Sequence, residues 1–309
     1  MHDDVSRPAR LYMPDCVGES ESRLYDGVIA ALKALPVSFD FPHSFSGIKA
    51  ADLFNLNALI GATIEDQVVA ALNRTRTVWD PEHEWEDCMF IRRSQSFPDV
   101  RLVRRTLESV DVIMGIELKG WCVLSKEKVP SFRYQVAVGA CAPMDLICVV
   151  PWYLDNAVSG EPRVLTPWVE QARFAAEWRD YWWEHVRECE DSNKRAIIQP
   201  EALSPYPSKA DLAHAVPVYD TGGNFGRLPR AKPLMESFIA EVMKDEILGI
   251  PVQDWVQFIA LHTDAADPEA VTRRLIKRTA ATQDEVCDLK ADELLCLLRK
   301  ITGDFDFGE

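Results

Sequence analysis

The hydrophobic pattern of the chain changes period several times, and each change marks an element. Over Glu21–Leu35 apolar residues recur every three to four positions, which predicts an amphipathic helix ended by Pro36 and followed by a loop at 38–47. Ile64, Val68, Ala71 and Leu72 form a second apolar stripe, predicting a helix from Thr63 to about Arg74 with Thr63 and Asp66 at its cap. The acidic stretch 80–87 that follows is expected to be a surface loop.

From Met89 the pattern becomes short β-prone runs: Met89–Arg93, Pro98–Val103 and Asp111–Leu124, with a polar turn at Arg104–Ser109. After the basic loop Ser125–Gln135 comes a short alternating run at Val136–Gly139. The continuous apolar run Leu146–Val150, rich in β-branched residues, predicts a strand covered on both faces. Val169, Phe174, Trp178, Tyr181, Trp182 and His185 then recur at helical spacing, predicting a helix over Pro167–Cys189 whose aromatic stripe is core packing rather than a nucleotide-stacking platform. The Pro- and Gly-rich stretch 197–235 is expected to be mostly loop, and Met235–Ile301 several short helices. No internal repeat is evident. The order of elements predicts an α/β fold with a mixed central sheet flanked by helices: one domain over 1–235, with a helical lead before a core at about 50–235, and a helical C-terminal subdomain at 236–309.

Composition narrows the class. A chain of 309 residues with 47% hydrophobic content buries a sizeable core. It has no signal-like N-terminal stretch and no run near the ~20 apolar residues that span a bilayer, so a soluble cytoplasmic protein without membrane contact is expected. The eight cysteines contain no CxxC pair and read as reduced packing residues, and the six histidines lack HxxxH or HxH spacing, so zinc is not expected. The formal net charge of -15 excludes a protein that coats nucleic acid through a broad positive field. It leaves room for a local groove, because Ile91–Arg133 holds nine basic residues against five acidic ones. Solvated strand surfaces are the plainer account of that excess.

The sharpest chemical feature is Pro98-Asp99, followed eighteen residues after the aspartate by Glu117-Leu118-Lys119, with each half in a predicted strand. Alternation along a strand sends Glu117 and Lys119 to one face and Ile116 and Leu118 to the opposite, apolar one. With Asp99 at the end of the neighbouring strand, its carboxylate, Glu117 and the Leu118 carbonyl form an oxygen-only set suited to Mg²⁺, which would bind a phosphate oxygen and acidify an attacking water. Lys119 would orient or help deprotonate that water and offset charge in the transition state. A strand-surface salt bridge is the alternative. Asp288-Leu289-Lys290 matches the second half of the pattern in a helical tract, as a chance hit would. Asp111 is six residues from Glu117 on the same strand, about 20 Å along the ladder and too far to share a metal.

Pro98-Asp99 with Glu117-x-Lys119 resembles the signature of the PD-(D/E)XK nuclease superfamily, which includes many type II restriction endonucleases. The likeness covers little more than Phe97–Gly120, with support from the strand Leu146–Val150 and the helix after it. It implies a restriction-endonuclease-like mixed sheet, Mg²⁺ dependence and site-specific hydrolysis of double-stranded DNA, with Asp99, Glu117 and Lys119 catalytic. It further implies an acid from the first core helix near the metal, for which Glu65 is the candidate, although an acid at a helix N-terminus also simply favours the dipole. One motif per chain makes a homodimer the economical way to cut both strands, and a protective DNA methyltransferase the implied functional partner. Candidate DNA contacts are Arg101, Arg104, Arg105, Lys126 and Lys128 around the motif, and Arg227, Arg230 and Lys232 in a Gly- and Pro-shaped loop. Thr221-Gly222-Gly223 lacks the rest of a nucleotide loop and is an ordinary turn. Arg273, Arg274, Lys277 and Arg278 share a predicted helix that is either a solvated face or part of a helix-turn-helix. A repair or recombination nuclease of the same fold, and a non-catalytic DNA-binding subunit of a defence complex, remain the alternative functions.

Overall fold

The computed structural model describes residues 6–48, 53–94, 96–125, 129–189, 191–201, 203–208, 211 and 213–261. Lys126, Lys128, the helix predicted to carry Arg273, Arg274, Lys277 and Arg278, and Asp288–Lys290 lie outside the described residues.

Helices α1 (Met13–Cys16), α2 (Glu19–Lys33) and α3 (Leu35–Ser38) lead the chain. Leu24, Tyr25, Val28, Ala31 and Leu32 line one side of α2 and are buried, with Glu19 and Glu21 in its first turn and Lys33 in its last, as the helix dipole favours. Pro36 does not open the expected loop. It sits in the first turn of α3, where its missing N–H has no partner to lose.

Helix α4 (Leu53–Arg74) begins ten residues earlier than its apolar stripe suggested, so Thr63 and Asp66 lie inside it and cap nothing. Leu53, Leu56 and Ile60 carry the buried stripe back past Gly61. Two asparagines tie α4 to the sheet. Asn73 exchanges two hydrogen bonds with the Phe90 peptide, at 2.9 and 3.0 Å, and the Asn57 amide donates to the Gly120 carbonyl at 3.1 Å while accepting from Trp152 Nε1 at 2.9 Å. A side chain at Gly120 would meet Asn57 at 3.3 Å and Ile64 at 3.6 Å, so the helix depends on glycine there for its close approach. After α5 (Arg76–Trp79) the acidic stretch is a turn-rich loop, but Asp80 and Trp85 are buried, and the Asp80 carboxylate accepts from the Glu84 and Trp85 amides.

The main sheet is mixed and has six strands. β1 (Cys88–Arg92), β2 (Val100–Arg105) and β3 (Val110–Cys122) form an antiparallel meander, and β4 (Leu146–Leu154) joins β3 in parallel. The far edge of β4 is shared by two antiparallel strands, β5 (Pro162–Val164) and β6 (Trp168–Gln171). Being covered along both edges and both faces, Leu146–Val150 is buried throughout, as its unbroken apolar run requires. The chain crosses from β3 to β4 over residues 123–145, with a 3₁₀ turn at Val138–Ala140 where alternation suggested extended chain.

The helix expected over Pro167–Cys189 is shorter. Trp168–Gln171 is recruited as β6 to satisfy the edge of β4, α6 (Ala172–Tyr181) follows, and a π-helical turn at Trp182–Val186 ends it. Pairing with β4 overrides the helical spacing of Val169. Phe174 and Trp178 are buried, consistent with core packing of the aromatic stripe. Beyond it the chain is mostly irregular, with a two-stranded ladder of β7 (Ile197–Ile198) and β8 (Val216–Pro217) and a 3₁₀ turn at Leu228–Arg230. Helix α7 (Glu236–Val242), the hairpin β9 (Glu246–Ile247) and β10 (Ile250–Pro251), and α8 (Val252–Leu261) follow. Val242, Ile247, Trp255 and Ile259 belong to the same hydrophobic cluster as the sheet. No helix among the described residues is long and apolar enough to cross a membrane.

Candidate active site

The β2–β3 register assembles the site. Val100 faces Ile116 and Arg101 faces Gly115, so Asp99, one step before β2, arrives opposite Glu117. Ile116 and Leu118 are buried on the sheet face that α4 covers, and Gly115, Glu117 and Lys119 lie on the other. Gly115 leaves room there: a Cβ on it would collide with Pro98 and stand 3.0 Å from an Asp145 carboxylate oxygen.

Lys119 Nζ donates to Glu117 Oε1 at 2.7 Å, and the Leu118 N–H donates to Asp99 Oδ2 at 3.0 Å. Because N–H and C=O of one residue point to the same edge of a strand, the Leu118 carbonyl also lies on the Asp99 side. The Lys119 side chain is 22% exposed and that of Glu117 10%. Burial, and then the Glu117 carboxylate, push Asp99 up to about 7 against the pull of Lys119. Burial opposes the charge on Lys119, but Glu117 and Asp99 outweigh it and raise its pKa, so Lys119 is an ammonium at neutral pH. Glu117 Oε2 is buried without a hydrogen-bond partner.

These observations fit a divalent cation. Two carboxylates in electrostatic reach share one ammonium, one carboxylate oxygen is orphaned, and a hard oxygen-only set suits Mg²⁺. Asp99, Glu117 and the Leu118 carbonyl are the residues that would hold it. Glu65 approaches from α4 but is engaged by Arg92, whose Nε donates to it at 2.7 Å; from there it acts on Asp99 through its charge. Among the described residues no group of three or more His, Cys, Asp or Glu side chains is disposed to hold a metal.

The candidate DNA contacts divide. Arg101 lies on β2 two residues after Asp99, donates to the Phe97 carbonyl at 2.7 Å and stands 5.3 Å above the Tyr206 ring. Burial and the nearby Arg93 lower its pKa. Arg104 pairs with Asp87 at 2.6 Å, and Arg105 is exposed at the end of β2, away from the carboxylates. In the distal loop Arg227 Nε donates to the Gly223 carbonyl at 3.2 Å, Lys232 pairs with Glu236 at 2.8 Å, and Arg230 is exposed.

Two residues escaped the sequence reading. Asp145, fully buried at the entrance to β4, accepts from the Gly115 N–H at 2.7 Å, the Ala142 N–H at 2.8 Å and the Tyr206 hydroxyl at 2.8 Å. Burial raises it to about 6, opposed by those three donors. Burial and Asp145 together raise the Tyr206 hydroxyl, which therefore stays protonated and donating. An acid directly before an apolar strand was the available signal for Asp145, whereas Tyr206 sits in a Pro-rich loop that gave none.

No protein-family model, curated protein or solved structure matches the chain.

Proposed function

We propose that the protein is a Mg²⁺-dependent, site-specific DNA endonuclease of the restriction type, with Asp99, Glu117 and Lys119 as its catalytic core. The observation that carries this reading is the meeting of Asp99 with the Glu117–Lys119 pair across β2 and β3, with Lys119 Nζ 2.7 Å from Glu117 and an orphaned Glu117 oxygen beside it. The mixed sheet, with a helix packed on the face opposite these side chains, supports the resemblance to the PD-(D/E)XK nucleases.

Asp99, Glu117 and the Leu118 carbonyl would hold the metal, and Mg²⁺ when bound would supply Lewis-acid polarisation of a phosphoryl oxygen and lower the pKa of nearby water. Lys119, kept protonated by its two carboxylate neighbours, orients the attacking water and offsets the negative charge that grows on the phosphoryl oxygens. Its raised pKa favours this electrostatic role over that of a general base. Two copies in a homodimer would place one such site on each DNA strand.

The test is incubation of the purified protein with unmethylated plasmid and phage DNA in Mg²⁺ or in EDTA. Discrete fragments that require Mg²⁺ are expected. Absence of cleavage across duplex, single-stranded and branched DNA would remove the nuclease reading.

A further inference from the structure

At the start of β2 lies an open cleft of about 330 Å³, lined by Arg93, Ser94, Ser96, Arg101 and Tyr206 among others. Among the described residues no acid lines it directly, although the Asp211 carboxylate accepts from Ser208 at its rim. The contrast with the neighbouring arginines is informative. Arg92 is neutralised by Glu65 and Arg104 by Asp87, whereas neither Arg93 nor Arg101 forms an ion pair among the described residues. Arg101 Nε is in addition buried without a hydrogen-bond partner.

The guanidinium is held in place. One of its amino groups is fixed by the Phe97 carbonyl at 2.7 Å, and its flat face stands 5.3 Å from the Tyr206 ring centre. Tyr206 is itself anchored by its hydroxyl bond to Asp145 and adopts φ +56°, a conformation uncommon for a bulky residue, so the surrounding contacts impose it. Ser96 Oγ donates to the Arg93 carbonyl at 3.2 Å and closes the turn that presents Arg93 and Ser94. Two guanidinium groups in no direct ion pair, with Asp145 acting on Arg101 only through its charge, match a tetrahedral oxyanion beside hydroxyls, since planar N–H forks bind phosphate oxygens in pairs.

Position adds the rest. Arg101 follows Asp99 by two residues, one at the start of β2 and the other one step before it, about 7 Å apart along the chain. That separation is of the order of the step between successive backbone phosphates.

We propose that this cleft is a phosphate subsite in which Arg101, Arg93 and the Ser94 hydroxyl grip the nucleic-acid backbone phosphate next to the one that a cation at Asp99 and Glu117 would bind. Its assignment to a backbone phosphate rests on the nuclease reading. The subsite fixes the register of the strand without reading its sequence.

Binding in EDTA separates this site from catalysis. Fluorescence anisotropy of labelled duplex DNA would be measured over a salt series for wild type, Arg101→Gln and Arg93→Gln, with the melting temperature of each protein recorded with and without inorganic phosphate. Arg93 is exposed, so its substitution leaves the packing intact even if Arg101→Gln is poorly folded. Each variant is expected to bind DNA about tenfold more weakly than wild type, equally for unrelated sequences, with a salt slope smaller by about one. Variants that are folded and bind with wild-type affinity and slope would overturn the subsite, whatever the cleavage assay shows. If wild type fails to bind DNA but is stabilised by inorganic phosphate, and Arg93→Gln is not, the subsite stands as a site for a free phosphate and the nuclease reading falls. Absence of both DNA binding and phosphate stabilisation would overturn the subsite.

Discussion

Two buried acids meet β3 two residues apart, Asp145 at the Gly115 amide and Glu117 within the strand itself, and are served in opposite ways. At Gly115, Asp145 accepts three hydrogen bonds, from two backbone amides and the Tyr206 hydroxyl. At Glu117, one carboxylate oxygen takes the Lys119 ammonium, the other is orphaned, and a second acid, Asp99, is pressed in beside it. The saturated acid joins the entrance of β4, the crossover and the Tyr206 loop, and is an architectural knot. The under-satisfied pair costs the fold stability, and a cation at Asp99 and Glu117 would complete it, which is the physical case for the proposed site.

That contrast can be broken from the Asp145 side first. Asp145→Ala removes the acceptor of two backbone amides and a hydroxyl, one amide fully buried, and is expected to destabilise the protein by about 3 kcal/mol, read from urea unfolding in EDTA. A cost under about 1 kcal/mol would mean that the knot is not structural.

An effect of opposite sign is expected on the other side. With a folded pKa of about 7 against an ordinary value near 4, Asp99 binds more protons in the native state than in the unfolded chain between those pH values. Its contribution to stability therefore falls as pH rises from about 4 to about 7. Asp99→Asn keeps an acceptor for the Leu118 amide and removes that penalty. In EDTA it should melt above wild type at pH 8, with the difference shrinking towards pH 4. An equal difference at both pH values would contradict the raised pKa.

Legibility in the sequence followed the range of the interactions. The strands of the β1–β3 meander were readable to within about two residues because alternation and turn residues are local signals. The same locality exposed Asp99, Glu117 and Lys119, since two adjacent strands bring them together by register alone. The start of α4 was hidden because residues 53–62 are too uniformly apolar to show a stripe, and β6 was hidden because only the edge of β4 makes Trp168–Gln171 a strand. Asp145 contacts Gly115 across 30 residues of sequence and Tyr206 across 61, so neither could be inferred from spacing. The basic excess at 91–133 was legible as charge but not as partition, since Arg92 and Arg104 turned out to be spent on Glu65 and Asp87 and Arg93 and Arg101 were left for the cleft.

The most direct test of the central claim is the rate of Mg²⁺-dependent DNA cleavage by Lys119→Ala beside wild type, with melting curves confirming that both are folded. A loss of 10²-fold or more, on the scale of removing a group that stabilises transition-state charge, is expected. Cleavage at the wild-type rate would show that Lys119 and Glu117 form a structural salt bridge and that the chemistry lies elsewhere in the chain.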